Sequence, residues 1–151
     1  MDRKPVKDVE LNANNSVSEL VEQFAETGGF LSVKISKASK IIKDMNAKKC
    51  TKFLSFPANV IATGTRGAIR TMIDRGLVDV IITTCGTLDH DLARLLTDYY
   101  HGDFNMNDAE LRDKGVNRLG NVLVPDTSYG VPIEKWMQPF LKEIYNEKER
   151  W

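Results

Sequence analysis

Two short segments of the chain carry side chains that could do chemistry, and each follows an apolar run. In residues 55–59, Asn59 offers a hydrogen-bond donor and an acceptor, and residues 83–87 supply threonine hydroxyls. Ligands of open α/β sheets bind beyond the carboxyl ends of the strands, where turn amides and helix N-termini meet anionic groups. Small residues in both segments would let a ligand approach the backbone. Ordinary strand-to-helix turns have the same pattern, and no G-x-G-x-x-G or Walker A sequence supports a phosphate site.

A small cluster of ionisable residues follows the second segment. Asp89, His90 and Asp91 place two carboxylates beside an imidazole, which could hold a cationic or hydroxyl-bearing ligand or titrate near neutral pH. Acidic residues are also common in the first turn of a helix, and on pattern alone we prefer that interpretation. One histidine between aspartates lacks the convergent ligands of a transition-metal site, so no metal is predicted.

The two cysteines do not form a disulfide framework. Cys50 and Cys85 are far apart in apolar surroundings, which is typical of a reducing compartment and predicts a cytoplasmic protein. Cys85 could be a nucleophile near a helix N-terminus, although a cysteine in such a run is more often a small apolar filler. Arg66 and Arg70 lie one helical turn apart and are predicted to be on the surface.

An alternation of strands and helices must position these segments. Residues 51–56 form a short apolar run that predicts a buried strand, and residues 78–84 are β-branched almost throughout, as in a strand covered on both faces. A helix around Ile69 lies between them, and another begins near Thr87. This order predicts an α/β fold with a parallel sheet.

The N-terminal part begins with an irregular stretch. Residues 1–15 are charged or amide-rich and are predicted to form a loose arm. Ser16 and Glu19 then form a capping box that starts a helix, Gly28 and Gly29 end it, and a second amphipathic helix is predicted at about residues 33–48.

The C-terminal part is predicted to contain three short elements. They are a helix around residues 108–114, a strand at residues 121–124, and a helix that starts at Pro132 and carries an apolar stripe toward Trp151. The length of 151 residues allows one domain or part of a larger one.

The composition excludes several classes of protein. The 151 residues include 21 basic and 21 acidic side chains, so the formal net charge is zero, which argues against a DNA-binding protein. The first residues lack the zones of a signal peptide, and no apolar run approaches the roughly 20 residues needed to span a bilayer. We expect no contact with a membrane.

Three ordered motifs resemble the N-terminal half of the deoxyhypusine synthase family. They are TKFLSFPANVIATG at residues 51–64, LVDVIITTCG at residues 77–86 and GVNRLGNVLVP at residues 115–125. The TGGF turn at residues 27–30 and WMQP at residues 136–139 are also similar to that family. The resemblance extends from about Ser16 onward, and it implies that residues 16–151 are the N-terminal part of a deoxyhypusine synthase-like NAD-binding domain.

The resemblance implies a fold and a reaction. The fold is a Rossmann-like parallel sheet flanked by helices, of which this chain is an N-terminal part, and the cofactor is NAD. NAD oxidises spermidine, and the aminobutyl group passes through an enzyme lysine to a lysine of the precursor of translation factor 5A. The family works as a tetramer built from dimers, with active sites at subunit interfaces.

The resemblance also assigns the site residues. The first cofactor loop is matched by five consecutive residues, Ala58, Asn59, Val60, Ile61 and Ala62. The second cofactor loop is matched by Thr84, Cys85 and Gly86. Asp89 and His90 match a pair of carboxylates close to the cofactor and the polyamine, so Asp89 is assigned to substrate and His90 to both ligands. Here Pro57 and Ala58 replace two hydroxyl residues of better-studied members, and His90 replaces a glutamate.

The family's glycine-rich cofactor segment and catalytic lysine have no match in this sequence, so the chain alone is expected to be inactive. It could be a truncated or proteolysed piece, a subunit completed by a C-terminal-half polypeptide, or a stand-alone non-catalytic relative, and we favour the first two. The functional alternatives are aminobutyl transfer to a small amine, as in homospermidine synthesis, and a regulatory paralogue that stimulates a catalytic partner.

Overall fold

The computed structural model describes residues 1–147, so the predicted end of the apolar stripe at Trp151 lies outside the described residues. The chain divides into two compact units, Met1–Lys52 and Phe53–Trp151, which are treated separately below. No helix within residues 1–147 is both long enough and apolar enough to cross a membrane.

The first unit contains two helices, α1 (Val17–Thr27) and α2 (Ser32–Ala47). The predicted capping box is confirmed, because Glu19 N–H donates to Ser16 Oγ at 3.2 Å and Ser16 N–H donates to Glu19 Oε2 at 2.7 Å. The predicted end of α1 is also confirmed. Gly28 has a φ of 66°, the left-handed conformation that glycine adopts without steric cost.

Residues 1–15 contain no helix or strand and lie along α1. Lys7 N–H donates to Glu26 O at 3.0 Å. The Gln23 side chain accepts from Glu10 N–H at 2.8 Å and donates to Glu10 O at 3.1 Å. Backbone hydrogen bonds therefore fasten this irregular segment to the helix.

The second unit begins with a small parallel sheet. It pairs β1 (Phe53–Phe56) with β2 (Val80–Thr83), and Phe56 lies opposite Thr83. The crossover between the strands contains α3 (Asn59–Ala62) and α4 (Arg66–Asp74). The predicted strands and parallel pairing are confirmed, and so is an α/β fold in this coarse sense.

Helix α5 (Gly86–Leu96) follows β2 directly, at the predicted place. It packs against α3, and the contact is built from small or branched apolar side chains. Ile61, Ala62 and Ala93 are 4%, 3% and 0% exposed, respectively. This contact is the centre of the core of the second unit.

A separate antiparallel sheet follows α5. Its strands are β3 (Tyr100–His101), β4 (Val116–Leu119) and β5 (Val122–Pro125), in the order β3-β5-β4, with α6 (Asp108–Asp113) between β3 and β4. The predictions of α6 and β5 are confirmed, whereas β3 and β4 were not predicted. A two-residue turn with Gly120 at a φ of 64° joins β4 to β5 as a hairpin.

A single-turn 3-10 helix (Asp126–Ser128) leads into α7 (Gly130–Glu147), which begins before the predicted start at Pro132. Thr97 Oγ1, at the end of α5, donates to Ser128 O at 2.8 Å. This bond fixes the start of α7 beside α5.

The prediction that the second strand is covered on both faces is wrong for the described residues. Ile81 and Ile82 in β2 are 37% and 56% exposed, and Phe53 in β1 is 62% exposed. The apolar stripe of α7 is also partly open, since Trp136 is 43% exposed. A β-branched run is typical of a parallel strand that is buried on both faces. The elements of residues 53–147 cover β2 only in part.

Candidate functional site

The two predicted loops lie side by side at one edge of the parallel sheet. Ala58 N–H donates to Thr84 Oγ1 at 3.2 Å. A Cβ atom added at Gly86 would lie 3.1 Å from Ala58 Cβ, which is tighter than most contacts between such atoms. The backbones of the two loops therefore approach as closely as their small residues allow.

The parallel register explains this juxtaposition, because both strands end at the same edge. Thr83 Oγ1 donates to Phe56 O at 2.6 Å and also lies 2.6 Å from Thr87 Oγ1. Thr87 is buried. The threonines that sequence reasoning noted as ligand donors thus serve partly to join the strand ends and the first turn of α5.

The structure separates the ten predicted site residues into two groups by exposure. At the surface are Asn59, Thr84 and Cys85, which are exposed, and Ala58, Val60, Gly86, Asp89 and His90, which are half-buried. The other two, Ile61 and Ala62, are buried in the contact with α5. The first group can reach a ligand with side chain or backbone, whereas the second group supports the loop from beneath.

A network of hydrogen bonds and ring contacts surrounds Asp89 and His90. His90 Nδ1 lies 2.8 Å from Tyr99 Oη, and the His90 ring lies 5.0 Å from the Tyr129 ring at an interplanar angle of 40°. Tyr129 Oη–H donates to Asp89 Oδ2 at 3.3 Å. The predicted pair is therefore held from two sides by tyrosines.

Burial sets the protonation states within this network. Burial lowers the pKa of His90, an effect that Asp89 opposes and Arg94 reinforces. The pKa of Tyr99 rises to about 12, mainly because burial disfavours the phenolate. Burial, and then the charge of Asp89, also raises the pKa of Tyr129. At neutral pH both hydroxyls keep their protons and the imidazole is uncharged.

Arg94 connects the network to the first loop. Its Nη1 donates to Ile61 O at 2.7 Å, and its guanidinium carbon lies 6.0 Å from the centre of the Tyr99 ring. Arg94 lies one turn after His90 on α5, so helical spacing could have found it. Tyr99 and Tyr129 were also missed by sequence reasoning. No spacing rule brings Tyr129, 40 residues away in the chain, to Asp89.

Asp91 does not join this network. Its Oδ1 pairs with Arg66 Nε at 3.2 Å. Both residues line an apolar groove of about 740 Å³, together with side chains such as Leu92 and Trp136. The predicted Asp-His-Asp cluster is therefore divided, and Asp89 is the carboxylate that accompanies His90.

Two other features bear on the chemistry. Arg70 pairs with Asp74 at 3.3 Å and is exposed, as predicted. Cys50 and Cys85 are free and exposed, so the interpretation of Cys85 as an apolar filler is wrong for the described residues. Within residues 1–147, no group of three or more His, Cys, Asp or Glu residues is arranged to hold a metal ion.

Comparison with known proteins gives consistent matches. A family model described as deoxyhypusine synthase matches residues 19–151. A protein of Picrophilus torridus named "Probable deoxyhypusine synthase" is 54% identical over 149 residues, which are 99% of this chain and 48% of that protein. A protein of the same name from Thermoplasma acidophilum is 52% identical over 156 residues, covering 100% of this chain and 50% of that protein. The chain spans about half the length of the curated relatives it matches.

Proposed function

The chain belongs to the deoxyhypusine synthase family, and from that premise we propose that it supplies part of an NAD and spermidine site to a deoxyhypusine synthase. The observation that carries the proposal is the meeting of the two loops at one sheet edge. Ala58 and Thr84 are hydrogen-bonded there, and Asp89 and His90 follow in the first turns of α5.

The proposed reaction is NAD-dependent transfer of the aminobutyl group of spermidine to a lysine of the precursor of translation factor 5A. When bound, NAD would supply the hydride acceptor for the oxidation of spermidine, whose remaining part leaves as 1,3-diaminopropane, and NADH would supply the hydride that reduces the imine on the acceptor lysine. The residues at the sheet edge suit a dinucleotide, because close backbone approach needs small side chains, as at Ala58 and Gly86. The N-terminus of α5 adds N–H groups that favour an anion. Asn59, Thr84, Cys85 and Gly86 would hold the cofactor, in a Rossmann-like arrangement.

Asp89 is the proposed partner of a spermidine ammonium. A cationic amine forms its strongest hydrogen bonds with an ionised acceptor, and Asp89 is half-buried with one oxygen engaged by Tyr129. The local charge at this position, rather than the zero net charge of the chain, would select a polyamine.

We place the covalent lysine outside this chain. A lysine that forms an imine must lose its proton, which desolvation favours. Every lysine of residues 1–147 is exposed except Lys52, which is only half-buried. The complete enzyme would therefore need a polypeptide that corresponds to the other half of the relatives, as a continuous chain or as a separate subunit.

Partners and location are part of the same proposal. Apolar side chains left open by the described residues, such as Ile82 and Trp136, support association with that second half or with further copies in a tetramer. Two free, exposed cysteines support a reducing compartment, which we propose to be the cytoplasm.

Complementation tests the proposal. The chain is mixed with a polypeptide corresponding to the C-terminal half of the Picrophilus torridus relative, and transfer of label from spermidine to the factor precursor is measured with NAD. We expect transfer only from the mixture, and a large loss with Asn59→Ala or Asp89→Ala. Asp91→Ala is the matched control, because Asp91 pairs with Arg66 away from the network.

Three outcomes would contradict the proposal. Absence of transfer from a folded mixture would remove the assigned activity. Labelling of a free amine in place of the precursor would indicate homospermidine-type chemistry. Stimulation of a complete enzyme that is unaffected by Asn59→Ala and Asp89→Ala would indicate a regulatory paralogue.

A further inference from the structure

We propose that Tyr99 is a positioning residue that holds His90 in the tautomer with its proton on Nε2, so that His90 acts as a hydrogen-bond donor to a ligand and Asp89 as the acceptor. The assignment of the tautomer uses only the contacts of this chain. The identity of the ligands rests on the proposed function.

The argument begins with the bond between His90 and Tyr99. His90 Nδ1 and Tyr99 Oη are 2.8 Å apart in a partly buried position. A neutral imidazole has one N–H, so Nδ1 either accepts the hydroxyl proton or donates its own proton to the hydroxyl oxygen. Among residues 1–147, the Tyr99 hydroxyl has no hydrogen-bond partner besides His90. Among residues 1–147, a proton on Nδ1 would leave both the Tyr99 hydroxyl proton and the Nε2 lone pair without a protein partner, whereas a proton on Nε2 leaves only Nε2–H without one. Each polar group withdrawn from water without a partner is costly, so the arrangement that leaves fewer of them is favoured.

The surroundings keep both groups in the required protonation state. Tyr99 retains its proton, because burial raises its pKa to about 12. Burial lowers the pKa of His90, and the charged groups that face it oppose each other, with Asp89 favouring the imidazolium and Arg94 disfavouring it. From the segment before α7, Tyr129 contributes a neutral ring at 5.0 Å. His90 is therefore uncharged at neutral pH and needs one donor and one acceptor as partners.

The position of Tyr99 is itself fixed. The Arg94 guanidinium carbon lies 6.0 Å from the centre of its ring, and Arg94 is held by the bond from Nη1 to Ile61 O at 2.7 Å. Tyr99 and His90 meet edge to face, with ring centres 5.8 Å apart and an interplanar angle of 88°. The imidazole is thus constrained by Tyr99 at its edge and by Tyr129 on its face.

This tautomer gives His90 and Asp89 different roles in ligand binding. With Nδ1 engaged, Nε2–H is the polar group of His90 that remains for a ligand, and it can donate but cannot accept. An ammonium has only donors, so it cannot bond to this nitrogen, whereas phosphate, ribose and amide oxygens can. Asp89 is the complementary acceptor for an ammonium. His90 was assigned to both ligands from the sequence, and the tautomer allots it to the dinucleotide and Asp89 to the polyamine.

The tautomer can be measured directly. The full chain is labelled with ¹⁵N-histidine, and the two ring nitrogens of each histidine are distinguished by long-range ¹H–¹⁵N correlation at neutral pH. We expect His90 to carry its proton on Nε2 in the wild type and to lose that preference in Tyr99→Phe. Tyr100→Phe is the matched control, since Tyr100 is the exposed neighbour in sequence, and it should leave His90 unchanged. Unchanged His101 signals and amide spectra verify that each variant is folded.

Two results would overturn the positioning role. One is a wild-type His90 with its proton on Nδ1. The other is a Tyr99→Phe variant, folded by the same spectra, in which the Nε2–H tautomer persists. A merely structural role for Tyr99 would change stability without changing the nitrogen that carries the proton.

The allotment of ligands is tested by titrating NAD and spermidine separately. Tyr99→Phe should weaken NAD binding about fivefold, the change expected for one hydrogen bond, and leave spermidine binding unchanged. Asp89→Asn should weaken spermidine binding and spare NAD binding. Equal effects of Tyr99→Phe on both ligands would refute the division. If neither ligand binds the wild type, the proposed site fails for this chain, whereas the tautomer still decides the role of Tyr99.

Discussion

Replacing Gly86 by alanine tests whether the two loops must approach closely. The added Cβ would lie 3.1 Å from Ala58 Cβ, so one loop must move by a few tenths of an ångström. Ala58 cannot rotate its side chain away, and the Ala58–Thr84 hydrogen bond spans the same gap. Overpacking of this kind costs about 1–3 kcal/mol, and the helical preference of alanine over glycine returns about 0.5–1 kcal/mol. We therefore expect Gly86→Ala to reduce the free energy of unfolding by about 1 kcal/mol.

Gly67→Ala provides the matched control. Gly67 is the second residue of α4, and nothing lies within 4 Å of a Cβ added there. The same chemical change should therefore stabilise the protein, by about 0.5–1 kcal/mol. Opposite changes in the free energy of unfolding for the two variants would then be explained by the contact between residue 86 and Ala58, and not by the loss of a glycine.

Urea unfolding followed by tryptophan fluorescence measures both effects, because Trp136 lies in α7 of the second unit. A double-mutant cycle with Ala58→Gly isolates the contact. Removing Ala58 Cβ should relieve the strain, which gives a favourable coupling free energy of about 1 kcal/mol. A coupling of zero, or a Gly86→Ala variant as stabilised as Gly67→Ala, would refute the close approach of the loops.

Three further predictions concern protonation and local stability. Because the pKa of His90 is lowered by folding, the unfolded chain takes up a proton first as the pH falls below 6.5. Stability should therefore decrease below that pH, and the decrease should be smaller in His90→Gln, as measured by urea unfolding across the range; equal slopes would contradict the shift. Arg118 donates to both carboxylate oxygens of Asp108, at 2.7 and 2.8 Å. Asp108→Asn should therefore lower the melting temperature and reduce the protection of α6 amides against hydrogen exchange. An unchanged hydrogen-exchange pattern would show that α6 does not need this ion pair. Ser16→Ala should destabilise the first unit by about 1 kcal/mol, since it removes the N-cap of α1. Ser18→Ala should destabilise it less, and circular dichroism during unfolding compares the two variants. Equal losses of stability would argue against the cap.

The features that sequence reasoning found are those that depend on near neighbours in the chain. The capping box at Ser16 and the turn at Gly28 need only a few consecutive residues, and both are confirmed. The parallel pairing of residues 51–56 with residues 78–84 followed from the helix between two apolar runs, which leaves few other topologies. Local pattern and chain connectivity were sufficient there.

The missed features depend on distant partners or on very short elements. β3 has two residues, too few to show an alternating pattern, and its pairing with β5 is made across α6 and β4. The Gly120 turn was a usable hairpin signal, but we assigned only its second strand. Tyr129 reaches Asp89 because Thr97 holds Ser128, a contact between segments that no periodicity predicts.

The error about β2 has a different cause. A β-branched run does indicate a strand that is suited to burial on both faces, and Ile82 nevertheless remains 56% exposed in the described residues. The residue types of β2 are suited to burial on both faces, but the elements within residues 53–147 leave part of the strand exposed. The pattern therefore describes the strand correctly and the burial incorrectly.

The charges around the network explain how a chain with no net charge could recognise a cation. Asp91 is neutralised by its pair with Arg66, and Arg94 is directed to the Ile61 carbonyl and the Tyr99 ring. His90 is uncharged at neutral pH, and both tyrosines keep their protons. Asp89 is left with a hydroxyl donor but no cation at hydrogen-bond distance among the described residues. A partly buried carboxylate in neutral polar surroundings is weakly screened, so it attracts a cation more strongly than an exposed carboxylate does. Recognition would then depend on the position of one oxygen, which Tyr129 sets, rather than on the field of the whole protein.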